Sequence, residues 1–190
     1  MQTTPEQIMD FWLNQVGQER WFAADDALDE EIRRRFTPIW RVARMGDMDG
    51  WMVDPAGSFA LLIVLDQFSR NMFRGDARGF AADPMARRHA KLAISRGHDM
   101  ATAEGARVFF YLPLTHSEGL RDQDRCVRLT AHRLPGLPHF LLHARAHREV
   151  IRRFGRFPFR NDALGRETAP AERAFLDAGG YGAILEELAA

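Results

Sequence analysis

The chain has 190 residues with 26 basic and 26 acidic side chains, so its formal net charge is zero at neutral pH. Apolar residues make up 46% and charged residues 27%, a composition typical of folded globular proteins and unlike disordered or membrane-embedded ones. A neutral chain also argues against a protein that coats nucleic acid. We therefore expect one domain spanning residues 1–190, in which the neutral charge disfavours a nucleic-acid partner and RNA binding by Arg145 to Arg166 is only a minor alternative.

Sequence features that would direct the chain to a membrane or an oxidising compartment are missing. The longest uninterrupted apolar run, Phe59 to Leu65, is too short to cross a bilayer, and the first residues do not resemble a secretory signal. Cys126 is the only cysteine, which excludes an intrachain disulfide, and we expect it to be a small buried residue. These features predict a cytoplasmic protein without a membrane partner.

Apolar residues recur at helical spacing along nearly the whole chain, and no window alternates convincingly as a strand would. The predicted fold class is all-α, with about eight to nine helices whose short connections favour antiparallel pairs. The predicted helices are Pro5–Gln15, one capped by Asp25 or Asp26 and ended by Gly46, Ala56–Phe73, Asp83–Gly97, Ala103–Leu112, Glu118–Arg133, Pro138–Phe154, Pro170–Ala178 and Tyr181–Ala190.

Proline positions refine these helix boundaries. Three predicted helices begin with a capping residue followed by proline; these pairs are Thr4-Pro5, Asp54-Pro55 and Asp83-Pro84. Pro38 is expected to kink the second helix, and Pro113 to end the fifth near Leu112.

A first group of polar residues lies where the third helix leaves its apolar half. Asp66, Arg70 and Arg74 are four residues apart and share one face, with Gln67 and Asn71 beside them. Because a helix this apolar upstream is expected to be buried, these charges must pair with one another or face a cavity. The pattern fits a ligand site and a structural ion pair equally well.

His116 and Glu118 form a second group, at the corner between the fifth and sixth helices. His116 is a candidate general base and Glu118 a candidate partner, but no nucleophile-elbow motif surrounds Ser117. Contact with a ligand and helix capping remain alternatives of equal weight.

Three histidines, His139, His143 and His147, recur every four residues along the seventh helix and form one stripe. Two of them have the spacing of metal ligands, but no His-Glu-x-x-His motif or second cysteine accompanies them. We therefore predict no metal site and no cofactor, and single out His147 because it lies nearest the segment described next.

The segment Arg152–Arg166 combines arginines with phenylalanines, glycines and a proline, which fits a loop pinned to the core by its aromatic residues. Seven arginines fall between Arg145 and Arg166, against only Glu149 and Asp162. We expect this excess of positive charge to line a polar cleft.

Three ordered strings in the chain resemble the signatures of a known family; they are Leu65-Asp66-Gln67-Phe68-x-Arg70-Asn71, Leu112-Pro113-Leu114-x-His116-Ser117-Glu118, and Phe154-Gly155-Arg156-Phe157-Pro158-x-Arg160-Asn161 followed by Leu164-Gly165-Arg166. The family is the uncharacterised bacterial one catalogued as domain of unknown function number nine hundred and twenty-four. The resemblance implies an all-helical fold similar to tetratricopeptide repeats, with no established activity. Ser69 and Phe159 stand where the family usually has proline and histidine, which weakens any catalytic role that relatives would give that histidine.

The strings and the local patterns together predict a single cleft lined by Asp66, Arg70, Asn71, His116, Glu118, His147, Arg156, Arg160, Asn161 and Arg166. Guanidinium and amide groups suit the recognition of phosphate or carboxylate, so the leading hypothesis is binding of a small anionic molecule or a peptide's acidic group. A first alternative is a hydrolase or transferase acting on a phosphorylated substrate, with His116 or His147 as acid or base and Asp66 or Glu118 as partner. Further alternatives are a helical protein-interaction scaffold and a buried structural network without a ligand.

Overall fold

The computed structural model describes residues 3–190, and these residues form helices and connecting turns without any β-strand. The prediction of an all-α fold is therefore confirmed. Within the described chain, none of the helices combines the length and the apolar character needed to cross a membrane. The chain divides into two compact units, with the division between Pro113 and Leu114.

The first unit contains α1 (Pro5–Asp10), α2 (Asp26–Met45), α3 (Pro55–Leu62), α4 (Ser69–Met72), α5 (Asp83–Ser95) and α6 (Glu104–Arg107). A π-helical segment, Phe11–Val16, continues α1, and a second one, Ile63–Phe68, joins α3 to α4. Four 3₁₀ segments connect these helices at Asp49–Val53, Ala77–Phe80, His98–Ala101 and Val108–Phe110.

Aromatic side chains form the core of the first unit. The rings of Phe36 and Phe68 stack with centroids 4.7 Å apart, and Trp12 meets both Phe68 and Phe109 edge-on at 5.7 Å. Offset stacking and edge-to-face contacts are the arrangements that aromatic quadrupoles favour. These contacts fix the π-helical segment Ile63–Phe68 in the interior.

The structure confirms two of the three predicted cap-and-proline starts. Thr4 and Gln7 form a reciprocal capping box, and the Asp54 carboxylate accepts a hydrogen bond of 2.8 Å from the Gly57 amide. The third prediction is wrong, because Asp83 is the first residue of α5 rather than its cap. Its carboxylate instead accepts a hydrogen bond from Arg70.

The third predicted helix forms without a break in the chain, but its type changes from α-helix to π-helix and back. Ala56–Phe73 was expected to be one α-helix, whereas the structure inserts the π-helical segment Ile63–Phe68 between α3 and α4. Its apolar half is buried as expected, since every residue from Phe59 to Leu65 is at most 1% exposed. π-helical turns are uncommon and recur at functional sites.

The fifth predicted helix ends close to its expected boundary but is not one α-helix. The expected helix Ala103–Leu112 is divided into α6 and a 3₁₀ segment, and Pro113 lies inside the next short helix, α7 (Leu112–Thr115). Proline is tolerated in the first turn of a helix, where its missing N–H has no intrahelical acceptor. The corner that contains His116 and Glu118 nevertheless forms as expected, between α7 and α8.

The second unit contains α8 (Leu120–Arg133), α9 (Pro138–Phe154), α10 (Pro170–Asp177) and α11 (Gly180–Ala189), with a 3₁₀ segment at Pro158–Arg160. Helix α9 packs against both α8 and α11. A small apolar core lies along α9, and Phe157, which is fully buried, anchors the loop after that helix to it. Cys126 is buried as expected, and this burial raises the pKa of its thiol.

Candidate functional site

Asp66 and Arg70 form an ion pair in the first unit. Asp66 is only 1% exposed, and its carboxylate accepts hydrogen bonds from Arg70 at 3.2 Å and from Gln67 at 2.6 Å. Arg70 also donates to the Asp66 backbone carbonyl at 2.8 Å and to the Asp83 carboxylate at 3.1 Å. The charge of Arg70 is therefore compensated by two carboxylates within this unit.

Asn71 and Arg74 belong to a second polar cluster of the first unit, centred on Asp29. The Asp29 carboxylate, 5% exposed, accepts hydrogen bonds from Asn71 Nδ2 at 2.7 Å and from Arg74 at 2.8 and 3.0 Å. The sequence analysis did not identify Asp29. Its spacing from Ile32 and Phe36, which are predicted to be buried, places it on the same helix face and could have indicated a buried carboxylate. An open cleft of about 730 Å³ adjoins this cluster and is lined by Asp26, Asp29, Glu30, Arg33, Met72, Phe73, Arg74, Gly75, Asp76 and Arg78.

Glu118 ties the loop after α9 to the α7–α8 corner of the second unit. Its carboxylate accepts a hydrogen bond from the Phe157 amide at 2.9 Å and two from Arg166 at 2.8 and 3.0 Å. Burial opposes ionisation of this carboxyl, but the bonds from Arg166 and Phe157 outweigh burial and lower its pKa. Arg166 also donates to the Phe157 carbonyl at 3.1 Å. The same arginine therefore bonds both Glu118 and Phe157, the two residues that this contact joins.

A second clamp joins Arg156 to Glu172, which sequence reasoning did not identify. Arg156 donates to the two Glu172 oxygens at 2.5 and 2.7 Å, and Asn161 Nδ2 and the Ala169 amide donate to the same carboxylate at 3.2 and 2.8 Å. These bonds, that of Arg156 first, lower the pKa of Glu172 to about 2. Glu172 occupies the third position of α10, and its carboxylate accepts a hydrogen bond from the Ala169 amide just before the helix. The sequence does not signal this bond, because alanine replaces the serine or threonine of a capping box.

His147 lies beside His143, Tyr181 and Phe157. Its Nδ1 is 2.9 Å from the backbone oxygen of His143 and 3.0 Å from the Tyr181 hydroxyl, and its ring meets Phe157 edge-on at 5.6 Å. The His116 ring lies 6.4 Å away, centroid to centroid. Burial, with the charges of the neighbouring histidines and Arg160 as smaller causes, lowers the pKa of His147 to about 3.

Arg160 is the most buried arginine of the loop after α9. Its side chain is 6% exposed, and its guanidinium carbon lies 4.6 Å from the centre of the Phe157 ring. Its charge helps to lower the pKa values of both His147 and Glu118, so it lies within electrostatic reach of both groups. The exposed Phe159 ring packs 5.2 Å from that of Phe157.

Seven of the predicted site residues therefore gather around Phe157 in the second unit; they are His116, Glu118, His147, Arg156, Arg160, Asn161 and Arg166. The other three, Asp66, Arg70 and Asn71, take part in polar networks of the first unit. The single cleft that would contain all ten residues remains a prediction.

The expected excess of arginine charge is smaller than the sequence suggested. Carboxylates distant in sequence supply partners, since Arg166 pairs with Glu118, Arg156 with Glu172 and Arg153 with Glu187. Arg152 and Arg153 also share Glu149. The count of acidic residues close in sequence missed these partners because the fold, not the local sequence, brings them to the loop.

The histidine stripe does not form a metal centre. Over the part of the chain that the structure describes, no group of three or more histidine, cysteine or acidic side chains has the arrangement needed to hold a metal ion. His139 packs instead against the Phe140 ring at 4.2 Å, and His143 accepts or donates a 2.7 Å hydrogen bond with the Tyr181 hydroxyl.

Comparisons with known proteins identify relatives without an assigned activity. The structure of a protein of unknown function from Agrobacterium tumefaciens matches 92% of this chain and 97% of its own length, with 44% sequence identity and a TM-score of 0.86. The comparison with curated proteins found no match. A sequence profile described as bacterial protein of unknown function, DUF924, matches residues 8–180. The chain therefore belongs to the DUF924 family of bacterial proteins of unknown function.

Proposed function

We propose that this protein binds a small anionic ligand, a phosphate or a carboxylate, in the second unit beside Arg160 and His147. The observation that carries the proposal is the placement of a buried guanidinium, stacked on Phe157, within electrostatic reach of a histidine that remains neutral. A cation held in a weakly hydrated, aromatic setting attracts an anion more strongly than the same cation in open water. His116, whose ring meets that of His147 edge-on at 6.4 Å, completes the group of candidate ligand contacts.

Arg156 and Arg166 have a supporting role in this proposal. Each binds a carboxylate with two nitrogens before any ligand arrives, although Nε of Arg166 makes no hydrogen bond to the described residues. By holding Glu172 and Glu118 they fix the backbone on either side of Phe157, and Asn161 reinforces the Glu172 clamp. The loop is thereby preorganised, which reduces the entropy lost when a ligand binds.

Acid–base catalysis on a phosphorylated substrate is the alternative, and the geometry gives it less support. A catalytic histidine is usually oriented by a carboxylate, whereas His147 Nδ1 contacts the backbone carbonyl of His143. Glu118, one of the two expected partners, accepts hydrogen bonds from Arg166 and Phe157, and Asp66, the other, pairs with Arg70. A pKa near 3 also makes His147 a weak base at neutral pH.

A protein-interaction scaffold with tetratricopeptide-like helix pairs is a further alternative. We place each of these proposed functions in the cytoplasm. The packing of α9 against α8 and α11 is compatible with stacked pairs, and Phe159 and Leu164 expose apolar surface on the same loop. A peptide's acidic group would then be the anion that Arg160 recognises.

Thermal-shift measurements with inorganic phosphate, phosphate esters and dicarboxylates test the proposal. A ligand at one hundred times its dissociation constant adds about 2.7 kcal/mol of stability, which raises Tm by roughly 5–10 °C in a chain of this size. The shift should vanish in Arg160→Ala and in the milder Arg160→Lys, because neither side chain reproduces the planar guanidinium.

Arg152→Ala is the matched control, since it removes an arginine from the end of α9 that is paired with Glu149 and 64% exposed. Its ligand-induced shift should equal that of the wild type. An equal loss in Arg152→Ala and Arg160→Ala, with binding retained in Arg160→Lys, would mean that any local positive charge suffices, and no shift with any anion would refute the proposal.

A further inference from the structure

The hydrogen bond from His147 to the backbone fixes which of its ring nitrogens carries the proton. The His143 carbonyl oxygen only accepts, so at 2.9 Å the Nδ1 of His147 must be the donor. Because the pKa of this imidazole lies near 3, it carries a single N–H at neutral pH. Nε2 is therefore left with a lone pair, and it makes no hydrogen bond to another residue in the described part of the chain.

Tyr181 reinforces this tautomer. Its hydroxyl lies 2.7 Å from His143 Nδ1 and 3.0 Å from His147 Nδ1. One arrangement satisfies both distances: the hydroxyl donates to His143, and its oxygen serves as a second acceptor for the Nδ1–H of His147. The N–H of His147 thus has two acceptors, one on α9 and one on α11, and transfer of that hydrogen to Nε2 would break both of these bonds.

An acceptor beside a buried cation discriminates among anions. An oxyanion attracted by Arg160 that reaches His147 Nε2 with a bare oxygen places two lone pairs against each other, which is repulsive and leaves both groups unsatisfied. An oxyanion that carries an O–H group donates a hydrogen bond to Nε2, so neither group is left unsatisfied. The rings of Phe157 and Tyr181 flank His147, and its partial burial limits the water that would otherwise relieve the mismatch.

We infer that the site selects oxyanions that bring their own O–H donor, such as hydrogen phosphate or a 2-hydroxycarboxylate, over oxyanions that have none. The inference rests on the anion binding proposed above and names its ligand class. Arg160 supplies the charge recognition, and His147 Nε2 supplies the discrimination.

Phosphate and sulfate provide the sharpest comparison, because both are tetrahedral dianions near neutral pH and only phosphate retains an O–H. Isothermal titration at constant ionic strength should show sulfate binding about tenfold more weakly, the factor expected for one hydrogen bond of ordinary strength. The pair of 2-hydroxysuccinate and succinate repeats the test with carboxylates and separates the two ligand sources. A preference confined to one pair identifies which of them the site accepts.

His147→Gln tests the assigned atom, because a glutamine amide offers a donor as well as an acceptor. The variant should bind sulfate and phosphate with affinities that differ less than twofold, while Arg152→Ala should keep the wild-type ratio of about ten. The wild-type comparison stands without either variant, so a poorly folded His147→Gln does not remove the test.

The outcomes distinguish this inference from the function on which it rests. Equal binding of phosphate and sulfate to the wild type overturns the O–H selection and leaves anion binding in place. A preference that persists unchanged in His147→Gln overturns the assignment to this histidine. Binding of neither anion overturns both the inference and the proposed function.

Discussion

Replacement of Arg166 by alanine should destabilise the second unit through Glu118. The substitution removes two hydrogen bonds to a partly buried carboxylate and leaves it only the Phe157 amide. Hydrogen bonds to a charged group contribute about 1.5–3 kcal/mol, and the partial exposure of this pair places the expected loss near 2 kcal/mol. For a chain of this length, that loss corresponds to a fall in Tm of about 4–8 °C.

The pH dependence of this loss identifies its cause. The pKa of Glu118 is lowered in the folded protein, so its contribution to stability is present above the unfolded pKa and is lost as pH falls through the folded value. Urea denaturation at pH 7 should therefore separate Arg166→Ala from the wild type by about 2 kcal/mol, and the gap should narrow steadily below about pH 4.

Glu118→Gln and the double variant complete a mutant cycle. The coupling energy between positions 118 and 166 should be larger at pH 7 than at pH 3. If the destabilisation by Arg166→Ala were the same at both pH values, lost packing rather than the ion pair would be its cause, and the account of this clamp would be refuted.

Three further predictions concern single side chains. Gly57→Ala should destabilise the protein by about 3 kcal/mol or more in urea, because the added Cβ would lie 2.1 Å from the Trp51 carbonyl oxygen; a near-neutral result would contradict the close approach of these two segments. The side-chain nitrogen resonances of His147 should not titrate between pH 5 and 8 in NMR spectra, whereas a midpoint near 6.5 would show that the ring is not desolvated; since its folded pKa is lowered, it should cost stability as pH falls below 6.5. Cys126 should react with a thiol reagent only on unfolding, so rapid modification of the native protein would be inconsistent with its burial.

The sequence predicts helices well where periodicity and capping agree. The predicted helix Pro138–Phe154 matches α9 at both ends, because a proline opens it and Gly155, at a φ of 69°, closes it. The predictions fail where a contact with a residue distant in sequence determines the local structure. Asp83 does not cap α5 because Arg70 takes its carboxylate, and no local pattern contains that information.

The same distinction between local sequence and distant contacts applies to the candidate site. The motif around Phe157 contains the residues that the second unit brings together, so the sequence locates the loop. It does not reveal that Arg156 and Arg166 are occupied, because Glu172 and Glu118 lie 16 and 48 residues away and reach them only through the fold. The sequence therefore overestimates how many arginines could meet a ligand.

Phosphate titration followed through the side-chain NMR signals of His147 tests the central claim most directly. The account predicts a saturable change in the Nε2 resonance, retained in Arg152→Ala and lost in Arg160→Lys. The absence of any change up to millimolar phosphate, with the protein folded, would contradict an anion site beside Arg160 and His147.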